Sequence, residues 1–419
     1  MKMRAFVWGW GLVLFGGIVA FVVLDWDDGQ VPSEQKKLLE IYGSQISGYT
    51  DGVRRWHVEA DYVWAGRSKT IFSLESIHDG ELFNEQGQKI LTSLSAATLK
   101  VNSRNKVMMA DGHLKATLLR RDMGPTESGR RTGPTQVRAG SLRYYASEDM
   151  VYLTGDVVIV RDEVVIRPRN QVMVNVSSNV VTMRDGAVLD SPEFWVSSNR
   201  MTLSVDDHVA VMDFGVVGRR KPLLTKRGTV ARGDSREQVL RQKPTRFSSD
   251  RLTYHLLDDH DVGVMLSGNV MIIQPDKKIS GREATYFEKS QSFAISGNVQ
   301  LRAMSLNWLL DKKRKSKFVN KEMAEGIGQP VTLNCQRLFF DAKKKTVLAE
   351  GGVVVIQPAR KSTSWALFYE DHSGRLELLG GVTVLRKKRD TLSSRTMFVN
   401  VLNESVRADE NVETEFTVE

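Results

Sequence analysis

The sequence predicts an all-β protein, an elongated array of repeated strands behind one N-terminal apolar segment. Three observations predict it. Residues 151–160 (VYLTGDVVIV) alternate apolar side chains around a central glycine, and the phrase returns at 264–272, at 294–301 and around Gly351 and Gly380. The glycines inside this strand, Gly155, Gly186, Gly215, Gly268, Gly297, Gly351 and Gly380, stand 31, 29, 53, 29, 54 and 29 residues apart. A unit of about 29 residues, twice lengthened by insertions of about 25, explains those intervals. Repetition on this scale marks an array whose neighbouring units bury one another.

At 419 residues, with 41% hydrophobic and 26% charged residues, the chain suits two domains or one elongated body and is unlike a disordered chain. Residues 1–4 carry Lys2 and Arg4, and residues 5–24 form a run of twenty without charge, followed by Asp25, Asp27 and Asp28. Twenty helical residues just cross a bilayer core of about 30 Å. The charge bias then puts residues 1–4 in the cytoplasm and the body outside it. A cleaved signal peptide is the rival reading. Its apolar region should be shorter and end in a small-x-small site, whereas bulky Val and Phe surround Ala20.

Residues 25–40 read as a tether, with Pro32 in a polar stretch. Strand patterning starts at Ile41, and Tyr49-Thr50-Asp51-Gly52 is a turn signal. Trp56 and Val58 then share one face, and short strands follow at 71–74, 81–84 and 97–101. Later units keep one grammar. A strand such as 142–145 runs into a polar turn about seven residues before the glycine, at Asn105, Glu148, Asn179, Asp261, Ser290, Lys344 and Ser373. Apolar residues share parity with the glycine, as Val151, Leu153, Val157 and Ile159 do, so one face is apolar. Glycine in mid-strand suggests a bend or bulge. Repeated at a fixed place, it would fold each sheet lengthwise into a trough.

Three insertions interrupt the array. Residues 120–138 are rich in Gly, Pro and Arg; residues 218–248 carry ten Lys and Arg against Asp234 and Glu237; residues 303–329 contain a segment, 311–321, with six bases against one acid. A short helix is predicted at 306–310. Residues 218–248 and 311–321 hold excesses of +8 and +5 in a chain of net +9, so the repeat body itself is neutral to slightly acidic. Nucleic acid is not an expected partner, because these loops carry few aromatics among their bases and the expected topology places them outside the cytoplasm.

No metal, cofactor or catalytic residue is assigned. The clusters 255–261 and 206–208, like Glu370-Asp371-His372, fall at the turn of the repeat, where Asp and Asn serve the backbone. Nucleophile elbows, zinc-protease motifs and phosphate loops are absent. Triads are spatial, so a hydrolase built on His255 or His260 would need a nucleophile from elsewhere in the fold. Cys335, the single cysteine, has no disulfide partner and reads as a small buried residue.

The apolar face either packs on itself as a sandwich core or lines a groove that accepts acyl chains. Its candidates by parity with the glycines are Val157, Ile159, Val270, Ile272 and Val299, with Leu301, Val353, Val355, Val382 and Val384.

The order of features carries a likeness. After the apolar segment come Tyr49-x-x-Gly52, Trp56-x-Val58-x-Ala60, Ala96-Ala97-x-Leu99 and Gly112. Ala139-Gly140-Ser141-Leu142-x-Tyr144 and Leu153-x-Gly155-x-Val157-x-Ile159 follow. Residues 41–190 resemble the periplasmic C protein of the lipopolysaccharide transport system (LptC family), and residues 191–419 its soluble OstA-like A protein (LptA family). The chain is about twice the usual length of the C protein, and the basic insertions depart from the pattern.

The resemblance implies an open β-jellyroll, V-shaped in section, whose interior carries the acyl chains of lipopolysaccharide, without enzymatic activity. It implies a single-pass inner-membrane protein with its body in the periplasm, docked to the ATP-driven (ABC) transporter of that system. Further OstA-like bridge proteins would join edge to edge by β-augmentation. With ~20–35 strands divided between two sheets at 4.7–4.9 Å spacing, the body should be on the order of 50–85 Å long.

Overall fold

The computed structural model describes residues 37–66, 70–84, 86–118, 134–161, 163–192, 194–221, 244–255, 262–287, 289–305, 328–386, 390–401 and 405–415. The expected anchor at 5–24, the tether up to residue 36, the middle of each insertion, the helix expected at 306–310 and residues 256–261 lie outside the described residues. Among the described residues no helix is long and apolar enough to cross a membrane.

Alternating side chains and closely spaced turns favour antiparallel hairpins, and among the described residues 26 strands form one continuous ladder. The first six are long: β1 (Leu39–Thr50), β2 (Val53–Ala65), β3 (Ile71–Phe83), β4 (Lys89–Asn102), β5 (Val107–Leu118) and β6 (Thr135–Tyr145). Each pairs with its neighbours in sequence.

Beyond β6 the ladder divides. β7 (Met150–Thr154) pairs with residues 141–145, while β8 (Val158–Arg161) pairs with residues 136–138. After β9 (Val164–Pro168) the chain crosses to β10 (Val172–Asn175) and β11 (Val180–Met183), then back to β12 (Ala187–Asp190) and β13 (Phe194–Ser198), and once more to β14 (Arg200–Ser204). One wall thus reads β6-β7-β10-β11-β14 and the other β6-β8-β9-β12-β13.

The long strand β15 (Val209–Arg220) rejoins them, pairing with β14 through 209–213 and with β13 through 217–220. From there each strand again spans both walls: β16 (Thr245–His255), β17 (Val262–Gln274), β18 (Lys277–Phe287), β19 (Ser292–Ala303) and β20 (Val331–Asp341). β21 (Thr346–Gln357), β22 (Arg360–Glu370), β23 (Arg375–Arg386) and β24 (Thr391–Asn400) continue the ladder, and β24 carries β25 (Ser405–Asp409) on one wall and β26 (Glu413–Glu415) on the other. The ladder runs without a break through residue 190, where Ser191 N donates to the Phe194 carbonyl at 2.8 Å.

Each wall therefore holds twenty-one rungs among the described residues, roughly 95–100 Å of stack at 4.7–4.9 Å per rung. This exceeds the length expected from sequence. That estimate shared the strands between two sheets, whereas the long strands cross both walls and count in each.

The bend sits at the repeat glycine. Pairing slips between Ser267 and Val270, Ser296 and Val299, Glu350 and Val353, and Leu379 and Val382. Gly297 shows why glycine is needed: its φ is +83°, and a Cβ there would lie 2.5 Å from Cβ of Arg282 on the adjacent strand. The following residue is also left-handed at Asn269 and Asn298, a conformation that Asn tolerates better than most side chains. Glu410 and Asn411, the pair 30 residues after Gly380, take the same conformation between β25 and β26.

The partner strand has a requirement of its own. Opposite each bend stands a small residue: Ala96, Ala139, Ser198, Ser249, Gly281, Cys335, Ser364 or Ser394. Ser249, Ser364 and Ser394 are buried, and each hydroxyl donates to the carbonyl two residues on, at 2.9, 3.0 and 2.9 Å. Small volume lets the two walls converge, and the hydroxyl satisfies a carbonyl freed by the bulge.

Candidate functional site

The alternation that builds the strands points one apolar row from each wall into the space between them. How full that space is differs along the stack. From β2 to β15 it is filled: Leu82, Leu94, Leu99, Leu142, Met183 and Met201 are fully buried. A void of about 10 Å³ beside Leu82, Ile90 and Leu118 is at the threshold for a single water.

From β16 to β26 the walls stand apart and enclose an open groove of about 810 Å³. Leu266 and Val270 are buried beside the bend, whereas Val264 and Ile272, one step further along each arm, are partly buried and line the groove. Phe293, Phe340 and Tyr369 give one wall an aromatic lining; Leu301, Leu333 and Val355 give the other an aliphatic one. Polar lining gathers at the far end of the aliphatic wall, at Thr245, Gln274, Lys277, Gln357 and Arg360. The Lys277 ammonium pairs with the Asp276 carboxylate at 3.3 Å.

The ten residues chosen by parity fall into three places. Ile272, Leu301, Val355 and Val384 line the groove. Val270, Val299, Val353 and Val382 are each 1% exposed and pack at the bend, where they hold the walls together. Val157 and Ile159, 4% and 2% exposed, belong to the filled section. Side chains of the aromatic wall, such as Val264, Phe293 and Phe340, are not among the ten, all of which lie on the strand segment after each glycine. The same parity, read backwards from the glycine, finds Val264 and Phe293.

Cys335 is a free, buried thiol at the small-residue position of its rung. Burial pushes its pKa up to about 11, against backbone hydrogen bonds at Arg337 and Glu350 that lower it. Such a thiol is a packing residue, not a nucleophile.

The acidic residues Asp206, Asp207 and Asp371 serve turns. Asp206 accepts from Asn179 Nδ2 at 2.7 Å, Asp207 from Ser204 Oγ at 2.6 Å, and Asp371 from the Tyr369 hydroxyl at 3.2 Å. Among the described residues no group of three or more His, Cys, Asp and Glu could hold a metal ion.

One polar cluster is buried in the filled section. Arg55 on β2 pairs with Asp149, which also accepts from Ser177, and Tyr144 lies 3.3 Å from Arg55 Nη2. Burial raises the Tyr144 pKa, with Arg55 acting against it.

Several solved structures are similar in fold. One is LptH, the LptA-homologous periplasmic component of the lipopolysaccharide transport device from Pseudomonas aeruginosa. Identity is 13%, covering 44% of this chain and 100% of that one, with a TM-score of 0.21. No protein-family model matches the chain, and no curated protein does. What the groove can hold is therefore read from its lining: an amphiphile whose apolar part fills the space between the walls.

Proposed function

We propose that this chain is a non-enzymatic component of lipopolysaccharide export whose groove carries lipid acyl chains. In this reading residues 5–24 anchor it in the inner membrane and the body lies in the periplasm. The ATP-driven inner-membrane transporter supplies the lipid and the energy. Further bridge proteins receive the lipid by pairing edge to edge with the strands at the C-terminal end.

The observation that carries the reading is the groove of about 810 Å³ with its aromatic and aliphatic walls. An exposed apolar trench of this size is costly in water unless it has an occupant. The order of sequence motifs supports lipopolysaccharide as that occupant. β1 and the β25–β26 end are the two ends of the ladder among the described residues, with Tyr42 and Val406 exposed on them, as edge-to-edge partners require.

The test is photo-crosslinking during ATP-driven transport. Crosslinkers at Ile272 and Val355 should capture lipopolysaccharide, whereas Met265 and Ile273, 45% and 40% exposed, should not. Capture at the outward pair alone would sink the proposal. A second reading, a solidly packed structural protein of the envelope, is favoured by the filled section, but only for that section.

A further inference from the structure

The groove has a closed end, and side chains from both walls form it. Phe194 on β13 and Tyr254 on β16 meet edge to face, with ring centroids 6.2 Å apart and planes at 67°. The guanidinium of Arg220, the last residue of β15, lies 5.8 Å from the centre of the Phe194 ring and 5.1 Å from that of Tyr286 on β18. Phe194 and Arg220 stand on the aliphatic wall's side of the bend, Tyr254 and Tyr286 on the aromatic wall's side. The four therefore reach across the V where the open section meets the filled one. Behind them Met201, Met212 and Val216 are each 0% exposed, and Leu203 is 3% exposed.

We infer that Phe194, Tyr254, Arg220 and Tyr286 are an end stop, which makes the groove blind towards the N-terminal half. This rests on the lipid-carrying reading of the groove. Acyl chains then enter and leave by the open side or the C-terminal end, and the filled section carries no lipid. An aromatic pair under a guanidinium suits this place. The rings present an apolar face to a chain end in the groove, while the cation bridges the walls by stacking. Such a stop fixes how far along the stack a chain can lie.

The experiment uses the full-length protein and a fatty-acyl probe with a photoreactive diazirine at its terminal carbon, with labelled residues mapped by mass spectrometry. In the wild type, label should fall on groove strands, around Ile272, Leu301 and Val355, and on Phe194 of the stop itself, and be absent from 150–190 and 200–216. In Phe194→Ala/Arg220→Gln, label should extend to the segment holding Leu203 and Met212, rising there at least several-fold. Arg220→Gln alone, which leaves the buried ring in place, should give a smaller rise and guards against misfolding of the double variant.

Label within 150–190 or 200–216 of the wild type would overturn the stop while leaving the groove as a lipid site. Label confined to the groove and moved by neither variant would overturn the assignment to these side chains. No label in either section would overturn the lipid reading itself.

Discussion

Arg55 and Asp149 are 94 positions apart in sequence and form an ion pair inside the filled section, with side chains only 6% and 7% exposed. The pair ties the first hairpin to the turn between β6 and β7. Charges are costly to bury, and these are held by several partners: Tyr144 stands beside both, and Ser177 donates to Asp149. The pair belongs to the part of the molecule that has no groove.

Removing one partner strands the other. Arg55→Met should destabilise the filled section by about 3–5 kcal/mol, because Asp149 is left buried without its cation. Arg55→Met combined with Asp149→Leu should recover much of that loss. Chemical denaturation of the wild type, the two single variants and the double variant, read as a double-mutant cycle, checks this; a loss in the double variant equal to the sum of the two single losses would mean the pair is not coupled.

Gly297 and Gly352 separate conformational strain from close approach. Both have positive φ, +83° and +67°, but a Cβ at Gly352 would meet nothing within 4 Å, whereas one at Gly297 would meet Arg282 at 2.5 Å. Gly297→Ala should cost about 1–3 kcal/mol. Gly352→Asn should stay within about 0.5 kcal/mol, since Asn occupies the matching place at Asn269 and Asn298. Thermal melts of the two variants give the comparison.

Val353 and Val355 are two residues apart on one inward row, and their different surroundings predict different failures. Val353 is 1% exposed at the bend; Val355 lines the groove. Val353→Asp buries a carboxylate without a partner and should unfold the local rungs, at a cost of about 3 kcal/mol or more. Val355→Asp can reach water through the open side and should cost about 1 kcal/mol or less in stability. It should nonetheless lower acyl-probe retention about tenfold or more, as loss of one apolar contact of about 1.5–3 kcal/mol implies. Hydrogen exchange together with probe retention distinguishes the two outcomes.

Much of this architecture was legible because it follows from local rules. Period, turn positions, the bend at glycine and the inward parity of Val151, Leu153, Val157 and Ile159 all follow from strand geometry and backbone conformation. The split between groove and filled core did not follow. Ile159 and Ile272 occupy equivalent places after their glycines, yet one is sealed and the other lines a trench. Alternation says which side chains face inward, not how far away the opposite wall stands. The end stop was hidden for a related reason: Phe194, Arg220, Tyr254 and Tyr286 come from four strands whose meeting is a tertiary fact. The small residues at the bend were available in the sequence. Ala96, Ala139, Gly281, Cys335 and Ser364 each precede a repeat glycine by 16 residues.

Cys335 tests that last series directly. At its place other rungs carry Ser364 and Ser394, so Cys335→Ser should cost under about 1 kcal/mol, whereas Cys335→Leu should overpack the bend and cost about 1–3 kcal/mol. Its pKa is raised from 9.0 to about 11 by burial. The neutral thiol is therefore the form that the folded state favours. Its contribution is fully present below about pH 9 and is lost as pH rises through about 11. At pH 11 the wild type should have lost about 2 kcal/mol more than Cys335→Ser, relative to the two proteins at pH 8. At pH 8 a thiol reagent should label the native protein only as fast as the fold opens, and immediately once it is denatured. Rapid labelling of the native protein, or parallel pH profiles for wild type and Cys335→Ser, would show that this thiol is not sealed between the walls.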